Sequence, residues 1–203
     1  MEKNNYSSTH TYLKNLNEVL NSLDTYKIDN AIEEIKLAWQ RNSKIFTCGN
    51  GGSAITASHY INDWVKSVNF YSQEKKFRGF SFTDNTGLIT AYANDIKYED
   101  IYKEQCKALI EKEDLLIVVS ASGNSKNILK AVKEAKKLGA RTLGILGFDG
   151  GEASSIVDLS FIVPSFDMQI CEDIHLIFGH MTMKSLVAEA IVNNKLIKSL
   201  IDG

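Results

Sequence analysis

Five short apolar runs separated by helical patterns constrain this chain most. They are "KIFTC" at Lys44–Cys48, "GFSFT" at Gly79–Thr83, "LLIVVS" at Leu115–Ser120, "TLGIL" at Thr142–Leu146 and "LSFIV" at Leu159–Val163. Strands that alternate with helices imply a parallel sheet covered on both faces. The expected fold class is therefore α/β, a doubly wound parallel five-stranded sheet. Before it, Tyr12, Leu13, Leu16, Val19, Leu20 and Leu23 share one helical stripe, and Asp29 is placed to cap a second helix running to Trp39. Their apolar stripes must be covered by the domain or by another subunit. Pro164, the single proline, closes the last strand, and a long C-terminal helix pattern follows to about Ile201. Without a low-complexity linker or a repeat, residues 1–203 read as one domain, with residues 1–42 as an N-terminal helical extension.

Charge and composition exclude several classes. A net charge of -2 with both signs interspersed gives no surface for nucleic acid. No apolar run approaches the roughly 20 residues that span a bilayer, and the polar start "MEKNNYSSTH" lacks the apolar core of a signal peptide, so no membrane partner and a cytoplasmic location are expected. Cys48, Cys106 and Cys171 are odd in number and show no CxxC spacing, which fits buried, reduced thiols.

Two strand ends carry unusual chemistry. "KIFTC" runs into "GNGGSA" (Gly49–Ala54) and "LLIVVS" into "ASGNS" (Ala121–Ser125), each followed by a helix. In an open α/β sheet, ligands sit beyond the carboxyl ends of strands, where free amides and the positive end of a helix dipole favour an anion. Small residues let the backbone approach it, and serine hydroxyls add neutral donors. There is no GxxxxGK[ST], and "GNGGSA" lacks the GxGxxG spacing, so these loops suit a phosphate outside the common nucleotide folds.

"CGNGGSAITASHYIND", "ANDIKYEDIYKEQ", "SASGNSKNILKAVKEAKKLGA", "GFDGG" and "VPSFDMQICEDIHLIFGH" resemble, in the same order, the phosphoheptose isomerases, a family of sugar isomerase (SIS) domain proteins. The resemblance implies a flavodoxin-like sheet and a homotetramer with active sites shared between subunits. It implies ketose–aldose isomerisation of sedoheptulose 7-phosphate to D-glycero-D-manno-heptose 7-phosphate, which feeds nucleotide-activated heptose for surface polysaccharide. By position it assigns Ser53, Ser120, Ser122 and Ser125 to the phosphate, Asn50 and Gly51 to the site lining, and Asp95 to the neighbourhood of the sugar.

His59 and Asp63 lie four apart on the helix leaving the first loop and share a face, while Glu172 and His180 lie eight apart on the last helix. Such ligands suit a borderline divalent ion, zinc first, although this spacing is common by chance. The resemblance places all four at the family's metal and acid–base positions; we assign the base role to Asp63 and the acid or proton-shuttle role to His180, with His59 and Glu172 completing the metal shell. Three departures stand out: many members carry glutamate at the position of Asp63, glutamine at that of Glu172, and a basic residue where this chain has Ser67. A different phosphosugar, or a non-catalytic SIS adaptor like the family's replication-initiator-associating branch, is the alternative. His175 points about 140° away from His180 on an ideal helix and reads as packing, and His10 as exposed. Tyr60, Trp64 and Phe178 read as core or subunit packing.

Overall fold

Leu115, Ile117 and Val119 face one helical layer and Leu116 and Val118 the other, so the side-chain period of two divides one strand between two cores. This strand, β3 (Leu115–Ser120), is buried along its whole length. It lies at the centre of the computed structural model, which describes residues 8–73 and 75–201, with side chains to residue 194. The polar start of the chain, read above from residues 1–10, falls mostly outside the described residues.

Among the described residues, five strands form one sheet in the order β2-β1-β3-β4-β5, with β1 at Lys44–Gly49, β2 at Arg78–Ser81, β4 at Arg141–Leu146 and β5 at Leu159–Ile162. All four neighbouring pairs are parallel. This is the flavodoxin-like order, and its direction reverses between β1 and β3, which opens a crevice at their carboxyl ends. The helix α3 (Gly52–Tyr71) leaves β1, and α6 (Lys126–Lys137) leaves β3.

One face of the sheet is covered by α2 (Thr25–Gln40), α3 and α8 (Met168–Ile201). The other is covered by α5 (Ile101–Leu109) and α6. On α6 the apolar residues Ile128, Leu129, Ala131, Val132 and Ala135 are buried, and Lys136 and Lys137 stand in the last turn, where the helix dipole favours cations. The shorter helices α4 (Thr86–Asp95) and α7 (Gly151–Ile156) follow β2 and β4.

The N-terminal helices differ from each other. Ile28, Ala31, Ile32, Ile35, Ala38 and Trp39 of α2 are buried, whereas α1 (Thr9–Asn21) has no buried residue. Its stripe of Tyr12, Leu16, Val19 and Leu20, with Leu23 beyond it, is partly covered, and Leu13 stays 58% exposed. The Tyr12 hydroxyl donates to Asp173 of α8 at 2.6 Å. The cap of α2 is Asp24, whose carboxylate accepts from the Lys27 amide at 3.2 Å, and the expected cap, Asp29, lies inside the helix. The helix starts a turn early because the earlier aspartate also satisfies a free amide. Cys48, Cys106 and Cys171 are buried and unpaired, and Tyr60, Trp64 and Phe178 are core residues.

Candidate active site

Gly49 and Val119 pair in register, so the two phosphate-type loops start side by side. Together they border a cavity of about 350 Å³ lined by Asn50, Gly51, Ser53, Ser120, Ser122 and Ser125, with Met168 and Glu172 contributed by α8. Ser53 and Ser120 are buried. The Ser120 and Ser122 hydroxyls accept from the amides of Gly123 and Asn124 at 3.2 and 3.3 Å, folding the second loop on itself. Gly123 has φ +63°, and a Cβ there would fall 2.0 Å from the Gly150 carbonyl oxygen, so only glycine fits this turn. Neither Gly51 before α3 nor Ser125 before α6 supplies a side-chain capping bond. Neither cap side chain thus takes the first amides of these helices beside the cavity, a setting that favours an anion, although in α6 the Ile128 amide is bonded by the Asn127 side chain at 3.0 Å.

A second group forms where α3 crosses α8. The Trp64 indole donates to the Gly179 carbonyl at 2.9 Å, and the Tyr60 hydroxyl donates to that of His175. Any side chain on Gly179 would meet the Tyr60 ring, with Cε1 only 2.3 Å from a Cβ, so this glycine sets how closely the helices approach. The next residue, His180, is thereby brought against His59 and Asp63. Asp63 Oδ2 lies 3.1 Å from His59 Nε2 and 3.8 Å from His180 Nε2, and the two imidazole nitrogens are 3.4 Å apart. Ligands about 2.0–2.1 Å from a tetrahedral zinc ion stand roughly 3.3 Å from one another. Two imidazoles and a carboxylate at these separations fit such an ion in both donor type and spacing.

The SIS domain family model matches residues 11–147, more than half of the chain. Phosphoheptose isomerase from Helicobacter pylori strain P12 is 41% identical over 143 residues, covering 70% of this chain and 73% of the relative. The chain belongs to the phosphoheptose isomerase family of SIS-domain proteins. Phosphoheptose isomerase from Campylobacter concisus is 34% identical over 177 residues, 87% of this chain and 91% of that relative. The solved phosphoheptose isomerase of Neisseria gonorrhoeae superposes with a TM-score of 0.80 at 23% identity, over 87% of this chain and 95% of the other, which shows the shared fold. That of Francisella tularensis gives 0.76 at 27% identity, over 84% and 90%.

Within one chain of this phosphoheptose isomerase family member, the four expected metal-site residues do not all meet. His59, Asp63 and His180 cluster, while Glu172 lines the loop cavity. A Cβ on Gly52 would lie 2.7 Å from Glu172 Oε1 and 2.9 Å from Oε2, which places the carboxylate against the start of α3. Glu172, two turns back along α8 from His180, is not among the side chains whose ligand atoms converge there. Asp95 ends α4, exposed, and accepts from its neighbour Asn94 at 2.8 Å. It is not among the residues lining the cavity.

His175 is fully buried and donates through Nε2 to the Leu146 carbonyl at 2.9 Å, with Nδ1 unpartnered. Burial pushes its pKa down to about 4 against the smaller opposing effect of that bond. Two residues were missed from the sequence. Gly179 had a signal, since glycine inside a long helix costs about 1 kcal/mol and marks a close approach. Asn127, which bonds Asn50, had none beyond its position after the serine loop.

Proposed function

We propose that this chain interconverts sedoheptulose 7-phosphate and D-glycero-D-manno-heptose 7-phosphate through a cis-enediol. The observation that carries the proposal is the pairing of an anion-type cavity with a His–Asp–His cluster on one helix, α3. His59 and Asp63 lie about 9 and 15 Å along the helix axis from Ser53. Ser53, Ser120, Ser122 and Ser125, with the first-turn amides of α3 and α6, hold the phosphate. Asn50 and Gly51 shape the wall, and Asp95, exposed at the end of α4, is assigned to the sugar by family position. Binding energy at the phosphate orients carbons that react elsewhere.

Asp63 takes the proton from the carbon beside the carbonyl, and His180 moves protons between the two oxygens. His59, 3.1 Å from Asp63 Oδ2, fixes that carboxylate, while Oδ1 accepts from Asn62 at 3.1 Å. A divalent ion held by His59, Asp63 and His180, zinc by its ligand preference, supplies Lewis-acid polarisation of the carbonyl when bound. Glu172, which lines the loop cavity in this chain, completes such a shell by family position, in keeping with a homotetramer that shares its sites. Light scattering is expected to give a mass near four chains, and a stable monomer with full activity would overturn the shared-site assembly.

Glu172 also favours a second reading. A carboxylate in the loop cavity, with Ser67 in place of the family's basic residue, suits a related phosphosugar with a different headgroup. Incubation with sedoheptulose 7-phosphate, followed by NMR beside other ketose phosphates, separates the two. Aldoheptose phosphate as the preferred product supports the first, and turnover of another ketose phosphate alone supports the second.

A further inference from the structure

The loops that border the cavity come from strands 66 residues apart in sequence, counted from Gly49 to Leu115, and something must fix their spacing beyond the strand pairing. Asn127, in the first turn of α6, is only 2% exposed. Its Nδ2 donates to Asn50 Oδ1 at 2.7 Å, and Asn50 Nδ2 donates back to Asn127 Oδ1 at 2.9 Å. The two amides therefore close a reciprocal ring between the β1–α3 loop and the start of α6. Its polarity is set by a backbone donor. The Ile128 amide can only donate, and it lies 3.0 Å from Asn127 Oδ1, which leaves Nδ2 for Asn50. The Tyr98 hydroxyl donates to Asn50 Oδ1 at 2.9 Å.

We infer that Asn127 is a positioning residue that acts through Asn50: the amide ring clamps the two phosphate loops at the separation the anion needs, and Tyr98 locks the ring. This rests on the phosphate reading of the cavity. Buried reciprocal amides hold a fixed distance because breaking the ring strands a donor and an acceptor away from water. Leucine or alanine at position 127 fills or empties the space without the two bonds. Tyr98 is 55% exposed, so its hydroxyl can be removed with little risk to folding.

The test uses the full-length chain with inorganic phosphate as the calorimetric probe and hydrogen exchange as a readout independent of ligand. Asn127→Ala is expected to raise the Kd for phosphate about tenfold, the size of one or two lost hydrogen bonds, and to raise KM more than it lowers kcat. Peptides covering residues 49–54 and 120–126 should exchange faster, while those of β4 do not change. Asn50→Ala combined with Asn127→Ala should be no worse than the more damaging single variant, because both break one ring. Tyr98→Phe should give a smaller loss, about twofold. A folded Asn127→Ala protein with parental exchange in both loops overturns the clamp, as do fully multiplicative losses in the double variant. If Asn127→Ala fails to fold, Tyr98→Phe decides through exchange of residues 49–54, and unchanged rates overturn it. Failure of the parent to bind phosphate, with exchange still accelerated by Asn127→Ala, sinks the phosphate reading and leaves the clamp standing.

Discussion

The loop cavity draws its chemistry from backbone and short hydroxyls at the ends of β1 and β3, whereas the His59–Asp63–His180 cluster draws its chemistry from long side chains on the faces of α3 and α8. Strand register places the first, with Gly49 opposite Val119. Helix packing at a single glycine, Gly179, places the second. Two histidines on α8 show the contrast: His175 is fully buried behind β4, and the His180 side chain is 46% exposed at the cluster. A site built from sheet ends is held by the whole core, while one built on helix faces is open to solvent and to a second copy of the chain. The cavity should therefore govern affinity and the cluster should govern turnover.

The largest expected effect breaks the cluster alone. His180→Ala should abolish measurable turnover, and Asp63→Asn should lower it at least about 100-fold, the lower range for a lost acid–base group. Phosphate affinity by calorimetry should stay within about twofold of the parent for both. A parallel fall in affinity would show that the two regions are one.

His175 sharpens the scaffold side. An unfolded histidine titrates near 6.5, and the buried one near 4. Between these values the unfolded chain binds the extra proton, so this contribution to stability is complete above pH 6.5 and drains as pH falls through 4. The difference amounts to about 3 kcal/mol. Urea unfolding at pH 7 and pH 4 should show that much more loss for the parent than for His175→Gln.

Much of this division was legible beforehand, and the reasons are physical. The five apolar runs gave the sheet because parallel strands buried on both faces lack polar interruption, and their ends located the serine loops directly. Spacing could not reveal that His59 and His180, 121 residues apart, meet, because that depends on how α3 crosses α8. Nor could it show Glu172 turning into the cavity, since position on a helix face does not say which neighbour the face meets. Asp24 displaced Asp29 as the α2 cap because both offer the same chemistry one turn apart or so, and sequence ranks them equally.

The cavity is broken more gently. Ser122→Ala and Ser125→Ala should each weaken phosphosugar binding about tenfold, as expected for hydrogen bonds to a charged partner of roughly 1.5 kcal/mol. Thermal unfolding should move little, since neither hydroxyl is part of the core. Unchanged affinity in calorimetry contradicts the phosphate assignment. The smallest effect belongs to Glu172→Gln, which removes a negative charge from the cavity wall. Like charges about 4 Å apart repel by about 1 kcal/mol even in water, so inorganic phosphate should bind roughly fivefold more tightly. Weaker binding would mean that the carboxylate assists the ligand.

Solvent isotope incorporation tests the division of labour most directly. Turnover of sedoheptulose 7-phosphate in D₂O, read by NMR, is expected to place deuterium on carbon 2 of the aldose if, as proposed, Asp63 removes a carbon-bound proton and returns one exchanged with solvent. The Asp63→Asn protein should lose turnover and exchange together. Product that carries no deuterium at any extent of conversion, or parental exchange in Asp63→Asn, would contradict an enediol formed at the His59–Asp63–His180 cluster.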